Sequence, residues 1–289
     1  MMTPFDAAAP AREEMSASRR RVLVALPGAG AAHAVIEAGQ VIARALGLPL
    51  HAALVWPTPI SPCQVARLLG LAPQALEGLV LHVAVGDPVE RLDALARTEP
   101  VAFLVIGAES HGGGLGGLGE LAARTLATTR AGVIVVRSGT SLGKLRRILV
   151  PIDGTPSTAA ALCPLAELAA RAGAGLDLVM IEDVASLRSD EPGAMAPPRY
   201  LDQPQHEWPA FSAELVQRLL GALAHCPVGV PTRVLLAAGR PAAEILRLGR
   251  ELDTDLLALV WHGSCAGVEG AVFREVLEGA AWPVLVLRR

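Results

Sequence analysis

Two short segments hold the residues best suited to binding a small ligand. Residues 153–157 read Asp-Gly-Thr-Pro-Ser directly after an apolar run, and residues 107–120 contain seven glycines in fourteen positions. A carboxylate followed by small residues can accept hydrogen bonds from a ligand, but the same residues are typical of an ordinary turn and helix N-cap. A glycine-rich loop can turn its amides toward an anion, or it can be a plain connection. Both interpretations stay open for both segments.

These two segments belong to a sequence that repeats. Residues 20–28 (RRVLVALPG) return 126 positions later as residues 146–154 (RRILVPIDG). Two further matches follow in the same order: GDP at 86–88 with GRP at 239–241, and VIVVR at 133–137 with VLVLR at 284–288. A repeat of this length indicates two copies of one domain.

Domain boundaries follow from the repeat and from the length of 289 residues. We predict a flexible tail over residues 1–19, a first domain over 20–137, a short polar linker over 138–144 and a second domain over 145–289. The offset between the repeats grows from 126 to 153 across residues 186–209, which are rich in Pro, Asp, Glu and Gln. A segment of this composition buries little apolar surface, so we expect a loop or lid.

Each repeat alternates strand-like apolar runs with longer helical patterns. This alternation is typical of a parallel sheet covered by helices on both faces. The predicted strands are residues 22–26, 50–56, 80–85, 101–106 and 133–136, then 148–152, 176–181, 233–237, 256–260 and 284–287. Apolar residues between 35 and 46 recur at helical spacing, and Gly47 favours the end of that helix. The fold class is therefore α/β, with two doubly wound parallel-sheet domains of about five strands each.

Composition narrows the function classes. Hydrophobic residues make up 52% of the chain, but the apolar runs have the length of strands, so no membrane helix is expected. A net charge of -3 gives no basic footprint for nucleic acid, and the doublets Arg20-Arg21 and Arg146-Arg147 are expected on the solvated rim. The scattered cysteines and histidines predict reduced thiols and no structural metal. The opening segment lacks the layout of a secretory signal, which favours a cytoplasmic location.

The repeated pattern resembles the universal stress protein family in a tandem form, over nearly all of residues 20–289. The residues that carry the resemblance are ILVPIDG at 148–154, the Gly-Arg-Pro turn at 239–241 and WPVLVL at 282–287. The resemblance implies two Rossmann-like, adenine nucleotide alpha hydrolase-like domains related by a pseudo-twofold axis, with the final strands of the halves meeting. For nucleotide-binding members it implies an acid after strand one for the adenine end, and a G-x2-G-x9-G-[S/T] loop for ribose and phosphates.

The first half departs from this nucleotide-binding pattern. Pro27 stands at the position of the acid, Gly107 matches the first glycine of the loop and Ser110 replaces the second. Gly119-Glu120 replaces Gly-Ser, so a carboxylate would face the phosphates. Because like charges repel in a partly dry site, we expect no ATP in this half.

The second half keeps the acid as Asp153, followed by Gly154. However, Val260 takes the place of the first glycine, and only six residues separate Gly263 from Gly270. A valine side chain hinders the close approach of backbone to a ligand, so a triphosphate is not expected here. An adenosine-like ligand stays open, with Asp153 as hydrogen-bond acceptor and Gly263 or Gly270 near the ribose.

Two functions follow from the sequence. The first is a non-catalytic stress-response or regulatory module with degenerate nucleotide sites. It would be folded as an intramolecular pseudo-dimer, with a homodimer and an unknown regulatory protein as its partners. The alternative is an ATP- or adenosine-nucleotide-binding switch at Asp153, with residues 186–209 as its lid. No enzyme is expected, since His111 and His262 have no nucleophile and base at a recognisable spacing, which favours structural or solvated histidines.

Overall fold

The computed structural model describes residues 20–26, 32–58, 60–98, 100–108, 120–129, 131–182, 214–215, 217–219, 221, 226, 229–261 and 267–288. The predicted tail and the predicted loop over 186–209 lie outside these ranges. All statements below refer to the described part of the chain.

A single mixed sheet of ten strands runs through the described residues. The strands are β1 (Arg21–Ala25), β2 (Leu50–Val55), β3 (Val80–Ala84), β4 (Val101–Ala108), β5 (Gly132–Arg137), β6 (Arg147–Ile152), β7 (Gly175–Glu182), β8 (Thr232–Ala238), β9 (Leu256–Trp261) and β10 (Val284–Arg288). Their order is β3-β2-β1-β4-β5-β10-β9-β6-β7-β8. Every pairing is parallel except β5 with β10, which is antiparallel. The second five strands therefore repeat the order of the first five in reverse.

Helices cover both faces of this sheet. They are α1 (Ala32–Leu46), α2 (Pro62–Leu68), α3 (Pro88–Thr98), α4 (Glu120–Thr128), α5 (Pro156–Ala172), α6 (Pro241–Glu251) and α7 (Gly267–Gly279), with a short 3-10 helix at Pro73–Leu76. Helix α1 ends as predicted at Gly47, whose φ of 64° lies in the left-handed region. Among the described helices, none has both the length and the apolar character needed to cross a lipid bilayer.

The structure confirms the predicted fold class and places each of the ten predicted strands within two residues of its expected bounds. The alternation of strand and helix was sufficient to predict the fold class, because strands covered on both faces read as continuous apolar runs separated by helical patterns. Within the predicted linker, Leu142 is only 1% exposed and packs in the main apolar core.

The two halves join through the antiparallel pair β5–β10. Val135 lies opposite Val284, Ile134 opposite Leu285 and Val133 opposite Val286. All six side chains are buried, and the apolar cores on both faces of the sheet contain residues from both halves. The predicted contact between the final strands is thus present within one chain.

Two arginines at this junction make the same contact in opposite directions. Arg137, at the end of β5, donates to the carbonyl of Glu278 in the last turn of α7. Arg288, at the end of β10, donates to the carbonyl of Ala127 near the end of α4. Carbonyls at helix C-termini lack intrahelical donors and attract cations. Each half therefore supplies a donor to a helix end of the other half.

The prediction that both arginine doublets lie on the solvated rim is wrong for Arg21. Arg20 is exposed, but Arg21 is the first residue of β1 and is only 6% exposed. Arg147, the equivalent first residue of β6, is partly buried and lies 3.8 Å from the carboxylate of Asp177. Because side chains alternate along a strand, the second arginine of each doublet points to a covered face of the sheet.

We expect Val135→Asp to lower the free energy of unfolding by about 4 kcal/mol or more, since it places an unpaired carboxylate in the junction. Val80→Asp is the matched control, because Val80 is also a strand residue but is 50% exposed. Urea unfolding of the two variants and the wild type measures the effect. Equal midpoints for Val135→Asp and wild type would contradict the role of this junction.

Candidate functional site

The strand order defines where a ligand would lie in each half. In an open parallel sheet, ligands bind beyond the carboxyl ends of strands at the point where the order reverses. That point lies between β1 and β4 in the first half and between β6 and β9 in the second. Asp153 follows β6 directly, so the structure places it at the second of these points. Pro27, its counterpart after β1, lies outside the described residues.

Asp153 is held by three hydrogen bonds to a single oxygen. Its Oδ1 accepts from the backbone N–H of Thr155 at 2.9 Å, from the Thr155 hydroxyl at 2.7 Å and from the Thr158 hydroxyl at 2.6 Å. Both threonines are almost fully buried, at 2% and 3% exposure, whereas Asp153 itself is exposed. The carboxylate therefore ties the end of β6 to the first turn of α5.

The same residues start helix α5. Thr155 is the N-cap, with its hydroxyl oxygen accepting from the N–H of Thr158 at 3.2 Å, and Pro156 occupies the first helical position. Gly154 has a φ of 76°, a conformation that favours glycine at this turn. Of the two interpretations of this segment, the turn and N-cap describe its local structure. Thr158 escaped the sequence reasoning, although a hydroxyl three residues after an N-cap threonine was a usable signal.

The end of β9 is filled by an aromatic side chain. Trp261 is 7% exposed, stacks on Phe273 of α7 with ring centroids 6.2 Å apart, and lies under the guanidinium of Arg288 at 5.6 Å. The preceding residue, Val260, pairs with Leu287 of β10. The position where the family pattern has a glycine thus continues as strand, and the next residue is part of the core.

Of the two glycines predicted near the ribose in the second half, Gly270 lies among the described residues and Gly263 does not. His262 and Cys265 also fall outside the described residues. Gly270 is buried in the first turns of α7, and its carbonyl accepts a hydrogen bond from Arg274 at 3.3 Å. The structure therefore places Gly270 at the helix that follows β9, and its expected position near a ribose stays a prediction.

In the first half, strand β4 runs further than predicted. Gly107 was expected to open the loop, but it lies within β4 and pairs with Val136, and Ala108 pairs with Arg137. The expectation is corrected because continued pairing with β5 extends the strand to Ala108. Glu109, Ser110, His111 and Gly119 lie outside the described residues, and α4 begins at Glu120.

An ion pair links neighbouring helices at this carboxyl edge of each half, with exchanged charges. Gly86 and Gly239 both have positive φ, at 132° and 139°, and precede Asp87 and Arg240 respectively. Asp87 accepts from Arg124 of α4 at 3.0 and 3.3 Å. In the second half, Arg240 donates to both carboxylate oxygens of Glu275 of α7, each at 3.2 Å.

The acid of the first pair also caps a helix. Asp87 accepts from the backbone N–H of Glu90 at 3.0 Å. This bond, followed by the bond from Arg124, holds the pKa of Asp87 below its ordinary value. Arg240 makes no side-chain cap at the equivalent start of α6. The bridge between helices is retained in both halves, whereas the cap is present only in the first.

The described thiols are reduced. Cys63 is exposed, whereas Cys163 of α5 and Cys226 are partly buried. Burial, together with a hydrogen bond to Cys163, raises the pKa of Cys226 to about 12. A thiol with such a pKa is protonated at neutral pH and is a poor nucleophile. Within the described ranges, no group of three or more His, Cys, Asp or Glu side chains is arranged to hold a metal ion.

Comparison with known proteins identifies the family. The family model for the universal stress protein family matches residues 144–288, which is half of the chain. The chain belongs to the universal stress protein family. No curated protein matches it.

Two solved structures share the fold over both halves. A universal stress protein from Archaeoglobus fulgidus DSM 4304 is 15% identical with a TM-score of 0.62, covering 94% of this chain and 97% of that one. A functionally unknown protein from Pseudomonas aeruginosa PAO1 is 15% identical with a TM-score of 0.63, covering 96% of this chain and 94% of its own. The fold shared with these two structures therefore extends over nearly the whole chain.

A third solved structure matches about half of this chain. The universal stress protein from Archaeoglobus fulgidus in complex with dAMP is 18% identical with a TM-score of 0.34, and covers 49% of this chain and 96% of its own. At this level of similarity it carries no information about a ligand here.

We expect Asp153→Ala to lower the free energy of unfolding by about 1–3 kcal/mol without any ligand, because three donors to Oδ1 lose their acceptor. Asp153→Asn is the matched control, since its amide oxygen still accepts hydrogen bonds. Chemical denaturation of both variants measures the difference. If alanine and asparagine cost the same, or neither costs anything, the structural role of this carboxylate is wrong.

We also expect Asp87→Arg to lower the thermal midpoint, because it places two guanidinium groups where α3 and α4 meet. Arg124→Glu in the same chain restores an ion pair in the arrangement seen at Arg240 and Glu275, so the double variant should be more stable than the sum of the two single changes predicts. Recovery is partial, since the helix cap at Asp87 is lost. Strict additivity of the two changes would refute the coupling.

Proposed function

We propose that this universal stress protein is a non-catalytic regulatory module whose two nucleotide sites are degenerate. The observation that carries the proposal is the engagement of Asp153. Its Oδ1 already accepts three hydrogen bonds from Thr155 and Thr158, so the retained acid has a role in the fold of its own half. A ligand at Oδ1 would have to compete with these donors.

Three further features support degenerate sites. In the second half, Val260 and Trp261 continue as strand where the family pattern requires a glycine and a loop. In the first half, Gly107 is paired within β4, and the sequence has Pro27 in place of the acid. Pairing with β5 holds Gly107 and Ala108 in the strand, so the loop of this half would begin later than the family pattern places it.

The proposal that the protein is not an enzyme is supported by the two hydroxyls that are hydrogen-bonded to Asp153. Thr155 and Thr158 are the hydroxyls that contact the exposed acid, and both are buried and directed at its carboxylate. A nucleophile has to reach a substrate and have a base placed to take its proton. A buried capping hydroxyl meets neither need.

The regulatory role requires a partner, which we propose to be another protein or a second copy of this chain. Strands β3 and β8 are the outer strands of the ten-stranded sheet, and Val80 and Leu236 on them are 50% and 41% exposed. Unpaired strand edges are able to pair with another chain. A cytoplasmic location belongs to the same proposal.

The alternative is an adenine-nucleotide switch in the second half. It is favoured by the position of Asp153, at the carboxyl end of β6 and at the point where the strand order reverses. The carboxylate is exposed, so a ligand can approach it. In this alternative the adenine end would lie at Asp153 and the phosphates near α7.

We expect the purified protein to release no nucleotide on denaturation, as judged by mass spectrometry. In calorimetric titrations we also expect no heat of binding with ATP, AMP or adenosine at concentrations up to about 1 mM. A dissociation constant of about 1 mM corresponds to a binding free energy of about −4 kcal/mol. Asp153→Asn and Asp87→Asn are assayed alongside, because the first changes the candidate acid and the second an exposed acid of the other half. Tight binding that Asp153→Asn abolishes and Asp87→Asn retains would replace the proposal by the switch.

A further inference from the structure

Three residues that can carry positive charge meet at the amino ends of the first three strands. Arg21 opens β1, His51 is the second residue of β2, and His82 is the third residue of β3. His51 lies opposite Leu23, and His82 lies opposite Ala53. Since side chains two residues apart share a face, all three point to the same side of the sheet. We call Arg21, His51 and His82 the histidine cluster.

The hydrogen bonds of the histidine cluster fix the charge of His51. Nη1 of Arg21 lies 2.9 Å from Nδ1 of His51, and Nε2 of His82 lies 2.9 Å from the same nitrogen. A guanidinium has only donors, so Nδ1 of His51 must be an unprotonated acceptor. His82 then donates from Nε2, and the two rings stack with centroids 5.1 Å apart. The arrangement holds only while His51 is neutral.

The second half has a cluster of fixed charge at the equivalent place. Asp177 lies opposite Leu149 just as His51 lies opposite Leu23, and its side chain is 4% exposed. It accepts from Nε and Nη2 of Arg233 at 2.6 and 2.9 Å and lies 3.8 Å from Nε of Arg147. The arginine at the start of the first strand thus lies beside an imidazole in the first half and beside a carboxylate in the second half.

Further charged groups lie on the helix that covers this face of the sheet. Helix α3 packs against β2 and carries Glu90, Arg91, Asp93 and Arg97. Asp93 pairs with Arg97 at 2.6 Å, and Nε of Arg91 donates to the carbonyl of Val85 at 2.8 Å. Strand β4, on the other side of β1, has no ionisable side chain. Among the described residues, the charged groups that act on the two histidines are Arg21 and the histidines themselves.

The geometry points to an acid-sensitive element in the first half of this protein: a proton on Nδ1 of His51 displaces the donor of Arg21, sets two cations against each other and opens the β1–β2–β3 edge of the sheet. A proton on Nδ1 would face the donor of Arg21 and leave two cationic groups 2.9 Å apart, and His82 would have to change tautomer to keep its bond. In the second half Asp177 holds this place, and its carboxylate accepts from the arginine donors instead of competing with them. This inference is independent of whether either half binds a nucleotide.

The direction of the pH effect follows from linkage. Burial, then Arg21 and His82, lower the pKa of His51 from its ordinary value of 6.5, and burial, then Arg21, lower the pKa of His82. Below about pH 6.5 the unfolded chain therefore binds more protons than the folded chain, so stability is complete above that pH and is lost as the pH falls. Each proton taken up on opening increases the opening equilibrium by up to about tenfold per pH unit.

The test is hydrogen exchange of the full chain between pH 7.5 and 5.5, followed by mass spectrometry of peptides from β1–β3 and from β6–β8. Rates are corrected for the intrinsic pH dependence of exchange. We expect opening of β1–β3 to increase several-fold more than opening of β6–β8. His33→Gln is the control, since His33 is an exposed histidine of α1, and it should behave as wild type.

Two variants separate the histidine cluster from a general effect of acid. His51→Asp copies the arrangement at Asp177 and should remove the acid-induced opening by pairing with Arg21. The double variant His51→Gln with His82→Gln keeps hydrogen-bonding groups that do not titrate. It should also show no acid-induced opening of β1–β3, and it serves as the test if His51→Asp does not fold. NMR titration should show His51 and His82 protonating below the ordinary histidine pKa of 6.5. An unchanged acid response in the double variant, or a pKa of His51 at or above the ordinary histidine value, would overturn the inference.

Discussion

The antiparallel pairing of β5 with β10 is the contact on which the arrangement of this protein depends. Each half is a five-stranded parallel sheet, and by itself it would expose a long apolar edge at its last strand. In the joined sheet, Val133, Ile134 and Val135 lie against Val286, Leu285 and Val284, and both cores run across the junction. The junction makes one folded body of two copies, which explains why a linker of a few residues is sufficient.

The same pairing determines where the sites lie. Since the strands of each half are parallel and β5 runs opposite to β10, the carboxyl ends of the two sets of strands lie at opposite edges of the sheet. Asp153, which follows β6, and Ala108, which ends β4, therefore lie at opposite edges of the sheet. Each half has diverged by itself. The bridge Asp87–Arg124 and its counterpart Arg240–Glu275 keep one contact between helices, with the positions of the acid and the arginine exchanged.

The fold could be predicted from the sequence because it depends on patterns within short segments. Apolar runs fixed the strands, and Gly47 fixed the end of α1. The histidine cluster could not be predicted, since Arg21, His51 and His82 are about thirty positions apart and meet only through the registers Leu23 with His51 and Ala53 with His82. A shift of one residue in either pairing would turn a histidine to the other face. The loop expected at Gly107 failed for a similar reason, because pairing with β5 decides where β4 ends.

The presence of Asp153 in a chain whose sequence departs elsewhere from the family's nucleotide pattern has a local physical explanation. Its Oδ1 gathers a backbone N–H and two buried hydroxyls at the point where β6 passes into α5, and Thr155 caps that helix. Removing the carboxylate would leave the buried hydroxyls of Thr155 and Thr158 without this acceptor, which costs stability whether or not a ligand binds. Selection for folding alone is then enough to keep an acid at this place. An acid after the first strand is therefore weak evidence for nucleotide binding in a universal stress protein unless the backbone after the fourth strand is free to turn toward phosphate.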